Sequence, residues 1–135
     1  MSGPTNYNQT VIETFRKNAG HVPGPNRLLL LMTTGAKSGL PRTTPVAYST
    51  DGDRLVIVAS KQGAPTNPDW YYNLLAHPIV TVELGSERFE ARASVAEEQD
   101  RERLYARHAE VMPGFAEYPQ KTTRQIPVVL LERLS

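Results

Sequence analysis

The sequence predicts a mainly β (α+β) fold, an antiparallel barrel or strongly curled sheet of about six strands with peripheral helices. Several short runs are either fully apolar or alternate apolar with polar residues, as strands do. Turn residues separate neighbouring runs at Asp51-Gly52-Asp53 and at Gly85-Ser86, and both patterns are typical of hairpins. No long βαβ crossover pattern is present, so we expect antiparallel pairing.

Six segments have the pattern of strands: residues 28–33, 43–50, 55–60, 79–84, 89–95 and 126–131. The first and third are apolar except for their last residues, Thr33 and Ser60, and should be buried on both faces. The fourth and fifth alternate and should form a hairpin with one wet face, and the last is apolar enough to be central. Because proline lacks the ladder donor, Pro45 predicts that the second segment is an edge strand or contains a bulge.

The N-terminal segment, residues 1–26, is predicted to precede a β domain of residues 27–135. Residues 1–10 are polar, and we expect them to be irregular. The apolar residues that follow recur at helical spacing: Val11, Ile12, Phe15 and Ala19. This spacing predicts a short amphipathic helix over residues 10–18, ended by Gly20. The helix would cover the core or make a weak contact with the inner face of the cell membrane.

Two further helices are predicted. Asn67 should cap the first, with Pro68 as its first helical residue and Asp69 near the positive end of the dipole, and the helix should end near Ala76. Trp70 is expected in the core, and at least one of the neighbouring tyrosines should be partly exposed. The second helix, residues 97–111, has a solvated charged face and an apolar stripe formed by Leu104, Tyr105, His108, Val111 and Met112.

Composition limits the classes of function. The chain has 135 residues and a net charge of +1, so nothing favours nucleic acid as a partner. It has no cysteine, which excludes disulfides, a thiolate nucleophile and cysteine-based metal sites. No signal peptide is visible, and the longest apolar run of about five residues is far below the roughly 20 of a membrane helix. We therefore expect a cytoplasmic protein.

The turn between the first two predicted strands has the residues of an anion site. Gly35 and Gly39 allow a close backbone approach, and successive N–H groups in such a turn can form a concavity for an anion. Lys37 and Arg42 add two cations, and Ser38 adds a hydroxyl. Neither the P-loop nor the dinucleotide spacing of glycines is present. The alternative interpretation is a polar hairpin loop with two solvated cations.

Lys61 is a second candidate for an anion site, because it follows an apolar strand at the point where the chain leaves the sheet. A loop with Gly63 and Pro65 gives room for a ligand beside it, and a solvated lysine is the alternative. No metal site is predicted, since His21, His77 and His108 are far apart and none has a second ligand nearby. Cationic loops and aromatic residues without a catalytic motif favour chemistry supplied by a cofactor.

Three stretches carry a family resemblance: TTGAKSGLPRTTPV, ASKQGAPTNPDWYYNL followed by HPIVTVEL, and RQIPVVLLE. Together they resemble the deazaflavin (F420)-dependent nitroreductase and F420H2-dependent quinone reductase family of actinobacteria, over about residues 27–132. The resemblance implies a split β-barrel like that of FMN-binding proteins. It also implies binding of reduced coenzyme F420, an 8-hydroxy-5-deazaflavin with an anionic phosphodiester and polyglutamate tail. The implied reaction is hydride transfer to a quinone, an enone or a nitroaromatic acceptor.

The resemblance also implies site residues. Five match positions that hold the anionic parts of the coenzyme: Ala36, Lys37, Ser38, Arg42 and Lys61. Others match segments that line it: Thr43, Thr44, Pro45, Val46, Ala47, Val58, Ala59, Ser60, Asp69, Trp70, Tyr71, Tyr72, Asn73 and Phe115. Ser60 is the candidate catalytic residue, as a hydrogen-bond donor to the acceptor or the ring. The positive side chains of the two turns should converge on the acidic tail.

The resemblance has one departure that concerns the acceptor. Nitro-reducing members carry tyrosines at the positions of Met112, Phe115 and Tyr118, and only Tyr118 is retained here. Ala47 is smaller than its tyrosine counterpart, which widens the pocket. These differences favour quinone or unsaturated-carbonyl reduction over nitroimidazole activation. An FMN-dependent oxidoreductase, a non-catalytic flavin or deazaflavin carrier and a domain without ligand remain as alternatives, and a homodimer is compatible with each.

Overall fold

The computed structural model describes residues 3–24 and 27–134, which form one antiparallel sheet and four α-helices. The strands are β1 Leu28–Thr34, β2 Pro41–Ala47, β3 Ser49–Asp51, β4 Arg54–Val58, β5 Ile79–Leu84, β6 Glu87–Val95 and β7 Val128–Arg133. The helices are α1 Gly3–Lys17, α2 Asp69–Ala76, α3 Glu98–Val111 and α4 Tyr118–Lys121. Single 3-10 turns cover Lys61–Gly63 and Pro113–Glu117. Pro25 and Asn26, at the end of the predicted N-terminal segment, lie outside the described residues.

The sheet is strongly curled. Its strand order is β2-β1-β5-β6-β7-β4-β3, so β2 and β3 lie at opposite edges although only Tyr48 separates them in the chain. The sheet must therefore bring its two edges together, as a half-barrel does. This confirms the predicted antiparallel, curled fold. It also shows that the prediction of one strand over residues 43–50 is wrong, because the Tyr48 amide bonds the carbonyl of Arg27 and the chain changes edges there.

The predicted turns and edge are confirmed. Gly52-Asp53 joins β3 to β4, and Gly85-Ser86 joins β5 to β6. Pro45 lies opposite Leu30 on β2, an edge strand, where a missing amide donor leaves no unpaired partner inside the sheet. Strand β7 is the fifth of seven in the order, so the last predicted strand is central.

Both faces of the sheet are covered, which explains the fully apolar strands. On one face, side chains of the sheet form a single buried cluster with Trp70 and Leu74 of α2, and its sheet members include Leu29, Leu31, Ile57, Val82, Val129 and Leu131. The other carries Val56, Val58, Leu104, Met112, Phe115, Val128 and Leu130 under α3 and the segment after it. Alternate residues of β4 and of β7 thus enter different clusters, as the period of two requires. Each such buried side chain stabilises the fold by roughly 1.5–3 kcal/mol.

Helix α1 is longer than predicted. It begins at Gly3, so residues 3–10, which were expected to be irregular, are helical, and its start with a proline in the first turn is compatible with helix geometry. Met1 and Ser2 lie outside the described residues. Ile12 and Phe15 are buried against Leu30, and this packing stabilises the whole helix. Two of the four apolar side chains predicted for this helix face are therefore covered by the sheet. Within the described residues, no helix is both long and apolar enough to cross a membrane.

Other details of the strands and helices differ from prediction: β7 is Val128–Arg133 rather than residues 126–131, and β6 begins at Glu87 rather than at residue 89. Helix α2 begins at Asp69 and ends at Ala76, with Pro68 rather than Asn67 at the cap position, because the side chain of Asn67 bonds Arg124 instead. Helix α3 ends at Val111, as predicted, but Val111 is exposed and so does not belong to the buried stripe, whereas Met112 lies beyond the helix and is buried. Strand β4 ends before Ser60. The division of the chain at residue 26 stays a prediction.

Candidate active site

A cavity of about 550 Å³ opens between the β1–β2 connection and the beginning of α2. Two segments that were predicted separately as site segments meet there. Its lining residues are Gly35, Ala36, Lys37, Ser38, Arg42, Asp69, Tyr72 and Asn73. All but Gly35 are predicted coenzyme-binding residues, and the structure therefore brings seven of them to one concave surface.

The connection that forms one wall, residues 35–40, is named here the cavity turn. It closes on itself: the Gly35 amide donates to the Leu40 carbonyl at 2.8 Å, and the Gly39 amide donates to the Gly35 carbonyl at 2.9 Å. The Leu40 amide donates to Ser38 Oγ at 3.1 Å. A β-carbon on Gly35 would collide with that hydroxyl, and Gly39 has a φ of +72°, so both glycines are required by geometry.

Asn73 fixes the cavity turn to α2. Its side-chain oxygen accepts from the Ala36 amide at 2.9 Å, and its nitrogen donates to the Thr33 hydroxyl at 3.2 Å. Asn73 is buried, so these two bonds satisfy the polar groups of its side chain away from water. The Ala36 amide, which was predicted to face an anion, is therefore occupied by Asn73. The side chains of the turn carry the anion hypothesis instead.

The cavity has a positive balance. Lys37 and Arg42 are exposed at its wall, and Asp69 is the one carboxylate among the lining residues that the structure describes. Neither cation forms an ion pair with any described carboxylate. Two unpaired cations with an exposed tyrosine ring, Tyr72, suit a ligand that combines a flat ring with an anionic tail.

The remaining predicted site residues are not among those that line the cavity: Thr43, Thr44, Pro45, Val46, Ala47, Val58, Ala59, Ser60, Lys61, Trp70, Tyr71 and Phe115. Trp70 is buried in the core, as expected, and Tyr71 packs against the same cluster. Ser60 is buried and is the first residue of the turn of residues 60–64, named here the lysine turn. Lys61 is exposed, and its ammonium lies 3.3 Å from Thr66 Oγ1. Its convergence with Lys37 stays a prediction.

Sequence reasoning missed Arg124, which holds the lysine turn. Its guanidinium donates to the carbonyls of Ala59, Ser60 and Ala64 at 3.0, 2.8 and 2.9 Å, and to the side-chain oxygen of Asn67 at 2.5 Å. These partners lie 57 to 65 residues away in the chain. The only signal in the sequence was a cation just before a fully apolar strand.

His108 has a buried role that its helical spacing did not reveal. It is fully buried, its Nδ1 lies 2.8 Å from the Ser49 hydroxyl, and its ring meets the Phe115 ring edge-on at 4.5 Å. Burial lowers the pKa of His108 to about 4, so the imidazole is neutral at pH 7. Among the described residues its Nε2 atom has no hydrogen-bond partner.

Comparison with known proteins decides the family. The sequence model of a protein family described as F420H(2)-dependent quinone reductase matches residues 7–133. The chain belongs to the F420H(2)-dependent quinone reductase family. An F420H(2)-dependent quinone reductase of Mycobacterium tuberculosis strain H37Rv is 43% identical to this family member over 120 residues, which cover 84% of this chain and 79% of the relative. The resemblance predicted from the sequence is confirmed.

Solved structures agree with that placement of the reductase. An F420H2-dependent reductase, FDR-A, is 39% identical with a TM-score of 0.71, and the match covers 78% of this chain and 93% of that one. A chain described as a domain-swapped dimer is 33% identical with a TM-score of 0.74, over 96% and 100% of the two chains. A heme-storage protein of Vibrio cholerae, at 17% identity and a TM-score of 0.60 over 92% and 88%, shares the fold alone.

The three positions that the resemblance relates to the choice of acceptor lie close together in this family member. Met112 and Phe115 are buried in the cluster under α3, and Tyr118 packs on it with its ring 5.1 Å from that of Phe115. Phe115 thus contributes an aromatic ring without a hydroxyl to this cluster. Among the described residues, no group of three or more histidine or carboxylate side chains could hold a metal ion.

Proposed function

We propose that the chain is an F420H2-dependent quinone reductase that binds the reduced coenzyme at the cavity between the cavity turn and α2. When bound, reduced F420 supplies the hydride. The observation that carries the proposal is the placement of Lys37 and Arg42, without carboxylate partners among the described residues, on one cavity wall in a member of this family. Phosphodiester and carboxylate groups are the ligands that such cations bind best.

The residues of this wall can act in distinct ways. The planar fork of Arg42 fits two oxygens of one phosphate or carboxylate, whereas Lys37 contributes a point charge. Asn73 keeps the wall in place through its bonds to Ala36 and Thr33. Tyr72, about half exposed at the cavity, offers its ring face to a flat ligand. Fixing the coenzyme in this way lowers the entropic cost of aligning donor and acceptor.

We infer a quinone as the acceptor class, with an unsaturated carbonyl compound as the second candidate. Phe115 and Met112 are apolar and belong to a buried cluster, so an acceptor bound beside that cluster would meet apolar groups, which suit a quinone ring and its side chain. This cluster offers fewer hydroxyl donors than the tyrosine-rich members, which disfavours nitroimidazoles. The relative described as a domain-swapped dimer, at 33% identity, supports a homodimer as the working assembly.

The test is anaerobic oxidation of reduced F420 by the purified protein with a panel of quinones, enones and nitroimidazoles. We expect turnover to be fastest with quinones and slowest with nitroimidazoles. Binding of F420 without oxidation by any acceptor would instead indicate a carrier. Tighter binding of FMN than of F420 would favour the flavin alternative, and no change in melting temperature with either would indicate a domain without this ligand.

Ser60 is proposed as the hydrogen-bond donor that stabilises negative charge on the acceptor or the ring. It is buried at the end of the apolar β4 segment, where a donor acts at low dielectric. We expect Ser60→Ala to lower kcat with quinone by about 10-fold to 100-fold while the Kd for F420 changes little. Ser86→Ala, in the exposed β5–β6 turn, is the control. Unchanged turnover in Ser60→Ala would remove Ser60 from the chemistry.

A further inference from the structure

One side chain, that of Arg124, bonds several backbone carbonyls of the lysine turn and its neighbours. Arg124 lies in the irregular segment before β7 and is half-buried. One of its nitrogens, Nη2, bonds the carbonyls of both Ala59 and Ser60, while Nε bonds the carbonyl of Ala64 and Nη1 bonds Asn67. The guanidinium therefore bonds both ends of the lysine turn, Ser60 and Ala64, and also Ala59 before it and Asn67 after it. An ammonium group could not reach four acceptors arranged in this way.

The backbone of the lysine turn needs such support. Lys61 has a φ of +46°, in the left-handed region that side-chain-bearing residues seldom adopt, and Gly63 has a φ of +81°. The turn is closed by two hydrogen bonds, from the Gly63 amide to the Ser60 carbonyl and from the Ala64 amide to the Lys61 carbonyl. A left-handed residue persists where surrounding contacts fix it, and such residues are common at ligand sites. Arg124 supplies contacts on both sides of Lys61.

The opposite side of the lysine turn rests on α4. A β-carbon on Gly63 would lie 2.7 Å from Cβ of Lys121 and 3.3 Å from the carbonyl oxygen of Tyr118, so the turn and the helix touch at this glycine. The turn therefore lies between Arg124 and α4. The Lys61 ammonium is left exposed, in weak contact with the Thr66 hydroxyl.

We propose that Arg124 is a positioning residue for coenzyme binding: it holds the lysine turn in the left-handed conformation that presents Lys61 to the anionic tail. The proposal rests on the proposed function. We assign Arg124 no direct contact with the coenzyme, because four of its five N–H donors already bond protein oxygens. Its effect should therefore be visible only with a ligand that has the tail and only while Lys61 is present.

The experiment measures the Kd of F420, and of the deazaflavin riboside that lacks the phosphodiester and glutamates, for wild type, Arg124→Lys and Arg124→Gln. We expect both variants to bind F420 at least 10-fold more weakly and the riboside within twofold of wild type. Arg124→Lys keeps the positive charge, so weaker F420 binding by this variant would result from the lost hydrogen-bond geometry and not from lost charge. Arg103→Gln, which removes an exposed arginine paired with Asp51 and Asp100, is the matched control and should leave both values unchanged.

A double-mutant cycle separates positioning from general stability. Once Lys61→Ala has removed the ammonium, adding Arg124→Lys should weaken F420 binding by less than twofold. A further 10-fold loss in that background would overturn the proposal. Hydrogen exchange gives a second measurement: the Gly63 and Ala64 amides should exchange at least 10-fold faster in Arg124→Lys, while those of β5 and β6 are unchanged.

The outcomes distinguish the two levels of inference. If wild type does not bind F420, the proposed function fails and the role of Arg124 fails with it. If wild type binds F420 and both Arg124 variants bind it equally well, only the positioning role is overturned. Should Arg124→Gln fail to fold, Arg124→Lys alone completes the comparison, and equal exchange of the Gly63 and Ala64 amides in it would also overturn the proposal.

Discussion

The two cationic turns of this reductase are built in opposite ways. The cavity turn closes through short-range bonds among its own residues and needs one external contact, Asn73. The lysine turn contains a left-handed Lys61 and depends on Arg124 from 57 to 65 residues away and on α4 beneath it. A turn that closes locally can present charge by itself, whereas a turn supported from a distance is sensitive to changes elsewhere in the fold.

Acidification should produce the largest effect, and it acts beneath the lysine turn. The Phe115 ring meets His108 on one side and Tyr118 on the other, and the Tyr118 carbonyl lies under Gly63. The folded-state pKa of His108 is about 4, below its ordinary value of 6.5, so the unfolded state binds more protons between these values. Stability is therefore complete above pH 6.5 and falls by roughly 3 kcal/mol as the pH drops to 4.

Urea unfolding at pH 7.5 and pH 4.5 tests this expectation. The control is Ser49→Ala/His108→Phe, which removes both members of the buried pair and leaves neither hydroxyl nor imidazole unsatisfied. Between pH 7.5 and pH 4.5 the double variant should lose less unfolding free energy than wild type, and the difference should be most of the roughly 3 kcal/mol. The hydrogen bond from Arg54 lowers the pKa of Asp51 below its ordinary value of 3.8. The stability that Asp51 contributes is therefore lost only below that pH, outside the interval tested. Equal losses in both proteins would contradict the assignment to His108.

The glycines of the two turns give the next largest difference. Gly63→Ala combines a φ of +81° with an overlap against Lys121 Cβ, so we expect a loss of roughly 2–3 kcal/mol. Gly39→Ala in the cavity turn has a similar φ of +72° but open space around the new methyl group, so the loss should be about 1 kcal/mol. Denaturant midpoints with unchanged m-values measure both. Equal costs would mean that α4 does not restrain the lysine turn.

The contrast between the turns also marks what the sequence could reveal about the fold. Apolar runs and turn residues are local signals, so the hairpins at Gly52 and Gly85 and the curled antiparallel sheet were predictable. The break at Tyr48 was not predictable, because a single residue between two strands at opposite edges of the sheet produces no sequence pattern. Asn67 has the residue type of a helix cap, yet its side chain bonds Arg124, a partner that no local rule could identify.

The site divides along the same line. The cavity turn and the start of α2 were predicted as site segments from residue types and a family resemblance, and the structure brings them together at one cavity. The contacts that hold these segments were not predictable, because Asn73 reaches Ala36 across 37 residues and His108 reaches Ser49 across 59. Charge at a turn is visible in a sequence, but its support is a property of tertiary packing.

The smallest expected effect separates charge from geometry at the two turns. Lys37 is exposed on a turn that closes without it, so Lys37→Ala should leave stability unchanged and weaken F420 binding by about 10-fold, or roughly 1.4 kcal/mol. Because the lost term is an exposed charge interaction, salt should screen it: the Debye length falls from about 10 Å at 0.1 M to about 3 Å at 1 M. Lys17→Ala, at the exposed end of α1, is the control for net charge.

Salt titrations of F420 affinity test whether Lys37 acts through its charge. Wild type and Lys37→Ala should converge as salt rises, because screening removes from wild type what the substitution removed from the variant. Arg124→Lys acts through the exposed ammonium of Lys61, so its loss of affinity should also shrink as salt rises. The two turns are distinguished instead by hydrogen exchange of the Gly63 and Ala64 amides, which should be faster in Arg124→Lys and unchanged in Lys37→Ala. If Lys37→Ala stayed equally weak relative to wild type at 1 M salt, the cavity turn would act through its shape, and the distinction between the two turns would be wrong.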